Sequence, residues 1–178
     1  MWDPFRVRQR RSIRLQAYDY AQEGAYFVTV CTACRAPALG TVSHDDVILS
    51  LPGKIAASEW VRTADIRPNV ELDEFIIMPD HLHGIVVITE NRARQCKTGF
   101  QSPSQSLGAI IRGWKGIVTG KVRRALSQPN LVLWQRGFWE HIIRNEADLD
   151  AIRYYIKYNA LKKSLERSFP PDQMTHRL

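Results

Sequence analysis

His81 and His83 stand one residue apart in Met78–Ile88 (MPDHLHGIVVI), a run that is otherwise apolar and β-branched. Such a run reads as a strand. On a strand alternate side chains share a face, so both imidazoles point one way and Leu82 the other. Two neutral imidazoles side by side make half of a metal site. Polar residues that merely open a strand are the competing reading, and a second half of the site is needed to choose between them.

Candidates for that half lie far downstream in Tyr154–Asn159 (YYIKYN), which holds three tyrosines and an amide. On a helix, residues four apart lie one above the other, so Tyr155 shares a face with Asn159 and Tyr154 with Tyr158. If the Tyr155 face looks at His81 and His83, the set becomes two imidazoles, an amide oxygen and a phenol. Those groups suit metal-assisted phosphoryl transfer, in which a divalent cation polarises a phosphate oxygen and a tyrosine serves as covalent nucleophile. A phenol has an ordinary pKa near 10 and is a weak nucleophile at neutral pH, so the cation and nearby positive charge must activate it. Mixed N/O ligands permit Mg²⁺ and suit Mn²⁺ at least as well. Alternatively, the tyrosines simply pack along a helix surface.

The elements that must position these groups follow from periodicity. Ala25–Thr32 (AYFVTVCT) predicts a buried first strand, Asp45–Leu51 a short edge strand, and Gly53–Ile66 an amphipathic helix that stops before Pro68. Val70–Met78 and His81–Thr89 read as consecutive strands around a Pro79-Asp80 turn. Leu107–Leu126 is the clearest helix, with apolar residues at three- and four-residue steps. Leu131–Ile143 reads as a strand or a bent strand pair around Gly137, and Asn145 caps a last helix with Glu146 and Asp148 in its first turn. The order predicts an α+β, ferredoxin-like (RRM-like) fold, an antiparallel sheet with helices mainly on one face.

The chain has 178 residues, of which 44% are hydrophobic, enough for one cored domain. We expect a basic arm over 1–20, a domain over 21–167 and a tail over 168–178. The formal charge of +7 makes a polyanion the first-choice partner, and nucleic acid outranks membrane because no apolar run is long enough to span a bilayer. A signal-peptide core is absent, so a cytoplasmic, nucleoid-associated location is expected. Candidate DNA contacts are Arg10, Arg11 and Arg14 in the arm, Arg92, Arg94 and Lys97 in the aperiodic stretch 90–106, and Arg112, Lys115, Arg123 and Arg124 on the 107–126 helix. Cys31 and Cys34 form a C-x-x-C with no second pair, which argues against a disulfide framework and for no more than a minor metal or redox role. His141 is either an extra ligand, a general base or a structural histidine, and Gln135 a DNA contact or a cap.

Taken together, these segments resemble a known family. MPDHLHG looks like the His-hydrophobic-His signature of HUH endonucleases, and YIKYN is similar to the Tyr-x-x-x-Asn helix of single-tyrosine transposases of insertion-sequence-200 type. The nearest resemblance is to the REP-associated tyrosine transposases, carried by RRSIRLQAYDY, GAYFVTVCT, MPDHLHGIVV, GAIIRGWKG, WQRGFWEHIIRNEADL and IRYYIKYN across roughly residues 10 to 165. It implies an HUH fold that cleaves and rejoins single-stranded DNA beside hairpins of repetitive extragenic palindromes (REP) through a 5′-phosphotyrosine. By matching position, Tyr155 would be the nucleophile and His81, His83 and Asn159 the ligands of Mg²⁺ or Mn²⁺. The family usually has proline after the asparagine; Ala160 stands here and would let the helix continue.

Two rivals remain at this level. One is a non-catalytic single-stranded nucleic-acid-binding module, the other a replication-initiator or relaxase-type nickase. Tyr154 and Tyr158 are alternative nucleophiles. A homodimer, with Tyr155 of one copy serving the histidines of the other, stays open.

Overall fold

The computed structural model describes residues 19–43, 46–89 and 106–168, with side chains as far as Asn159. Its centre is a four-stranded sheet made of β1 (Gly24–Cys31), β4 (Val70–Met78), β5 (His81–Ile88) and β6 (Trp139–Ile143), in spatial order β4-β5-β1-β6. Every neighbouring pair is antiparallel. Helix α1 (Leu51–Ile66) links β1 to β4 by way of a separate hairpin, β2 (Gly40–Ser43) with β3 (Asp46–Leu49), and α2 (Leu107–Leu126) links β5 to β6. That is the ferredoxin-like α+β arrangement expected from the order of elements. The last helix, α3 (Glu146–Ser168), is an addition to it.

Strand alternation sorts the side chains into two layers. Tyr26, Val28 and Val30 of β1 and Leu82, Val86 and Ile88 of β5 face α1 and α2, where Trp60, Ile110, Ile111, Trp114 and Val118 close the main core. Phe27 and Ile85 face the other way, against Ile156, Ile152 and Leu149 of α3. The helices therefore divide two to one, and the sheet is covered on both sides. His81 and His83 share the parity of Ile85, which puts them under α3.

Three caps set the helix starts. Ser50 accepts from Gly53 N at 3.2 Å, Ser106 from Ala109 N at 3.3 Å, and Asn145 Oδ1 from Asp148 N at 2.9 Å. α1 begins two residues earlier than its apolar periodicity suggests, because Pro52 sits in its first turn, where a missing N–H costs nothing. The hairpin partner β2 has too short an apolar pattern to be read in advance. β6 is shorter than the predicted 131–143 run: Gly137 adopts φ +75°, and before it only Trp134 bridges to Thr32.

β4 carries one irregularity. Its register with β5 shifts between Leu72 and Phe75, so Asp73 and Glu74 together oppose Ile85. A bulge of this kind re-aims side chains.

Most of the predicted arm, the 90–105 stretch and the tail from 169 lie outside the described residues. Among the described residues, no helix is long and apolar enough to cross a membrane.

Candidate active site

His81 and His83 occupy the first turn-proximal positions of β5, a strand paired on both edges, and both are buried. Their rings meet edge to face with centroids 4.4 Å apart and Nε2 atoms 3.0 Å apart. Each Nδ1 is engaged on the far side, His81 with Asp80 Oδ1 at 2.7 Å and His83 with Thr29 Oγ1 at 2.8 Å. Asp80 is itself held: its backbone oxygen accepts from Thr32 N and Oγ1, and its Oδ2 from Arg35 Nη1 at 3.4 Å.

One proton arrangement satisfies these contacts with neutral rings. An ionised Asp80 only accepts, so His81 Nδ1 donates to it and His81 Nε2 accepts from His83 Nε2–H; His83 Nδ1 then accepts from the Thr29 hydroxyl. Thr29 can also serve the opposite tautomer, accepting from His83 Nδ1–H. In that state both Nε2 atoms carry free lone pairs, 3.0 Å apart.

The donor set fits a divalent cation. Two cis ligands at bond lengths of about 2.1 Å are separated by roughly 3.0 Å, which is the Nε2 separation observed. A carboxylate and a hydroxyl behind the two rings are the outer partners that orient metal-binding imidazoles. Among the described residues no three His, Cys, Asp or Glu side chains cluster to hold a metal. Further ligands would have to be an amide, a phenol, substrate oxygens or water.

α3 brings the phenol to this place. Leu149, Ile152 and Ile156 form the stripe that lies on the sheet, and Asn159 continues it as a buried residue one turn past Tyr155. Tyr155 Oη is 3.3 Å from His83 Nε2, its ring 5.2 Å from the His83 ring, and the side chain is 42% exposed. Phe27 wedges the cluster, stacking on His83 at 5.3 Å and meeting Tyr155 edge-on at 6.1 Å. Tyr154 and Tyr158 pack on each other at 4.3 Å and project to solvent.

The helix is fastened by charge as well as by packing. Arg153 Nε and Nη2 clasp Asp73 in the β4 bulge, the shortest contact being 2.6 Å, and Arg153 Nη1 reaches Asp150 at 3.2 Å. The guanidinium holds the Asp73 carboxyl below the usual carboxylate range. At the other end of the helix, His141 Nε2 donates to Asp148 Oδ2 at 2.9 Å, which lowers the Asp148 carboxyl too. His141 thus ties β6 to α3 and is not drawn in with His81 and His83.

The remaining candidates separate from the chemistry. α2 lies on the opposite side of the sheet, so Arg112, Lys115, Arg123 and Arg124 are not gathered with the imidazoles. Arg112 and Arg124 are exposed there. Lys115 Nζ donates to the Gln135 and Gly137 carbonyls and Arg123 Nε to the Leu131 carbonyl, so both secure the connection into β6. Burial pushes the Lys115 ammonium below its ordinary value. Arg10, Arg11, Arg14, Arg92, Arg94 and Lys97 fall outside the described residues. Thr29, Asp73, Asp80 and Arg153 also serve the site and carry no motif in the sequence. A carboxylate directly before His81 was the one available signal, since the other three act through strand register and helix docking.

Comparison with known proteins finds relatives of the chain. The chain is 35% identical over 164 residues to an uncharacterized protein of Haemophilus influenzae, covering 87% of this chain and 90% of the relative. It is 29% identical over 150 residues to a second protein of that organism, named "Putative REP-associated tyrosine transposase", covering 81% of this chain and 74% of the relative. Among solved structures it is similar in fold to a REP-associated tyrosine transposase bound to a REP hairpin, with TM-score 0.61, 21% identity, and coverage of 88% of this chain and 79% of that one. No family model matches the chain.

Proposed function

We propose that this chain, which is similar in sequence to a relative named as a REP-associated tyrosine transposase and in fold to a solved one, is a DNA nicking and rejoining transesterase acting on single-stranded DNA beside REP hairpins. The observation that carries this reading is the meeting of Tyr155 Oη with His83 at 3.3 Å, where two buried imidazoles converge with their outer nitrogens already engaged. A non-catalytic binding module has no use for that convergence.

In this reading His81, His83 and Asn159 hold a divalent cation, Mg²⁺ or Mn²⁺. When bound, the cation supplies Lewis-acid polarisation of a phosphate oxygen and stabilises charge as it develops. Tyr155 Oη attacks phosphorus, the P–O3′ bond breaks, and the products are a 5′-phosphotyrosine and a strand ending in a 3′-OH. Attack of a 3′-OH on the phosphotyrosine reverses the step, so rejoining consumes no nucleotide cofactor. His83 Nε2 cannot both ligate a cation and accept the phenol's proton; that proton passes to solvent, which reaches Tyr155. Thr29 and Asp80 hold the rings in the required tautomer, and Phe27 and Ile156 keep the floor of the site dry.

The test is a denaturing gel of the protein with a labelled hairpin oligonucleotide carrying single-stranded flanks, in Mg²⁺ or Mn²⁺. A denaturation-resistant adduct is expected with the unaltered chain and none with Tyr155→Phe. An adduct that survives Tyr155→Phe removes the assignment of the nucleophile.

A further inference from the structure

Trp139 opens β6 directly opposite Thr29, and Thr29 is in turn opposite His83, so the three form one row across the sheet. All three side chains share the face beneath α3, and the row spans two strand spacings, roughly 10 Å. Trp139 is 42% exposed, whereas Trp60, Trp114 and Trp134 are buried. One edge of its indole is fixed against Phe27, at 5.6 Å and 75°, and Phe27 itself stacks on His83. Two residues along the strand, His141 lies parallel to it within 7° at 6.2 Å, held there by Asp148. The result is a half-open aromatic surface beside the candidate active site.

We propose that Trp139, extended by His141, is a stacking shelf for an unpaired nucleobase of the DNA strand, one or two nucleotides from the phosphate at Tyr155. The proposal rests on the function proposed above and specifies how that site would hold its substrate. Three observations favour a nucleobase over a protein partner. The shelf is continuous with the His83–Phe27–Tyr155 cluster, where a phosphate would have to lie. Exposed Arg136 and Arg144 stand just before and just after β6, ready for backbone phosphates, on a chain carrying +7 overall. And the surface is built of two nearly parallel rings, with Trp139 42% exposed, which offers a π-face for a base to stack on.

The shelf separates base stacking from phosphate attraction, and so does its test. Affinities of the full chain, in chelator so that no strand is cut, are measured for dT16 and for an abasic 16-mer with the same phosphates. The unaltered protein should bind dT16 about tenfold more tightly than the abasic strand. Trp139→Ala should bind both equally, at the weaker value, and Trp139→Phe should keep most of the preference. If Trp139→Ala does not fold, tryptophan emission in a Trp2→Phe background gives a second reading: dT16 should quench the fraction that acrylamide reaches, and the abasic strand should not. A base preference unchanged in Trp139→Ala, emission indifferent to dT16, or a shelf shielded only by self-association overturns the shelf and leaves the transesterase reading standing. Failure of the unaltered chain to bind either strand overturns both.

Discussion

Arg153 of α3 clasps Asp73 through two nitrogens at a point where β4 bulges, so an irregularity in the sheet fixes the position of the helix that carries Tyr155. Asp73→Asn should leave the core intact yet slow adduct formation by about 10- to 100-fold, the cost of sub-ångström misplacement of a reacting group. The exchanged pair Asp73→Arg with Arg153→Asp should recover part of the rate. The pair also carries a pH signature. Because the folded Asp73 pKa is depressed, its stabilisation is present above the ordinary carboxylate value, about 4, and is lost as pH falls through the folded value. Melting temperatures of the unaltered chain and Asp73→Asn should therefore differ at pH 6 and converge well below pH 4.

Tyr155→Phe removes a half-exposed hydroxyl whose one contact is long, so its melting temperature should match the parent while the covalent adduct disappears. Tyr154→Phe and Tyr158→Phe, on the solvent side of α3, should both retain the adduct.

Thr29 is the partner that lets His83 change tautomer. Thr29→Val should weaken Mn²⁺ binding, measured by calorimetry, by about 10- to 100-fold, and Thr29→Ser should restore it. Equal affinities in all three chains would mean that the hydroxyl does not orient the ring.

Gly84 follows His83 and leaves room for Trp60: a Cβ there would lie 2.6 Å from Trp60 Cζ2. The Trp60 ring is boxed in by Phe75 and Trp114, so Gly84→Ala should destabilise by about 1–3 kcal/mol in urea unfolding. Adding Trp60→Leu should return part of that loss.

Much of this architecture is legible in the chain because long elements repeat their own period. β4 and α2 begin and end where their apolar patterns do, and the parity of a strand suffices to put His81 and His83 on one face. What periodicity does not carry is pairing. That Thr29 lies beside His83, or that Asp73 is turned toward Arg153, depends on strand register and on a bulge, neither of which leaves a local mark. The position of α3 beneath the sheet was hidden for the same reason: its stripe of Leu149, Ile152 and Ile156 says that it packs, but not on which side. Lys115 is illegible in a different way, because a basic residue on an amphipathic helix reads as surface charge and the carbonyls it serves are set by the fold.

The two imidazoles ride on a strand hemmed in by neighbours on both edges, whereas the phenol and the carboxamide ride together on one helix laid over it. In the proposed reading the machinery thus comes in two halves, one embedded in the sheet and one carried by the helix. Because Tyr155 and Asn159 share that helix, any shift in its seat would displace the proposed attacker and the proposed amide ligand as one body, with the strand beneath left where it is.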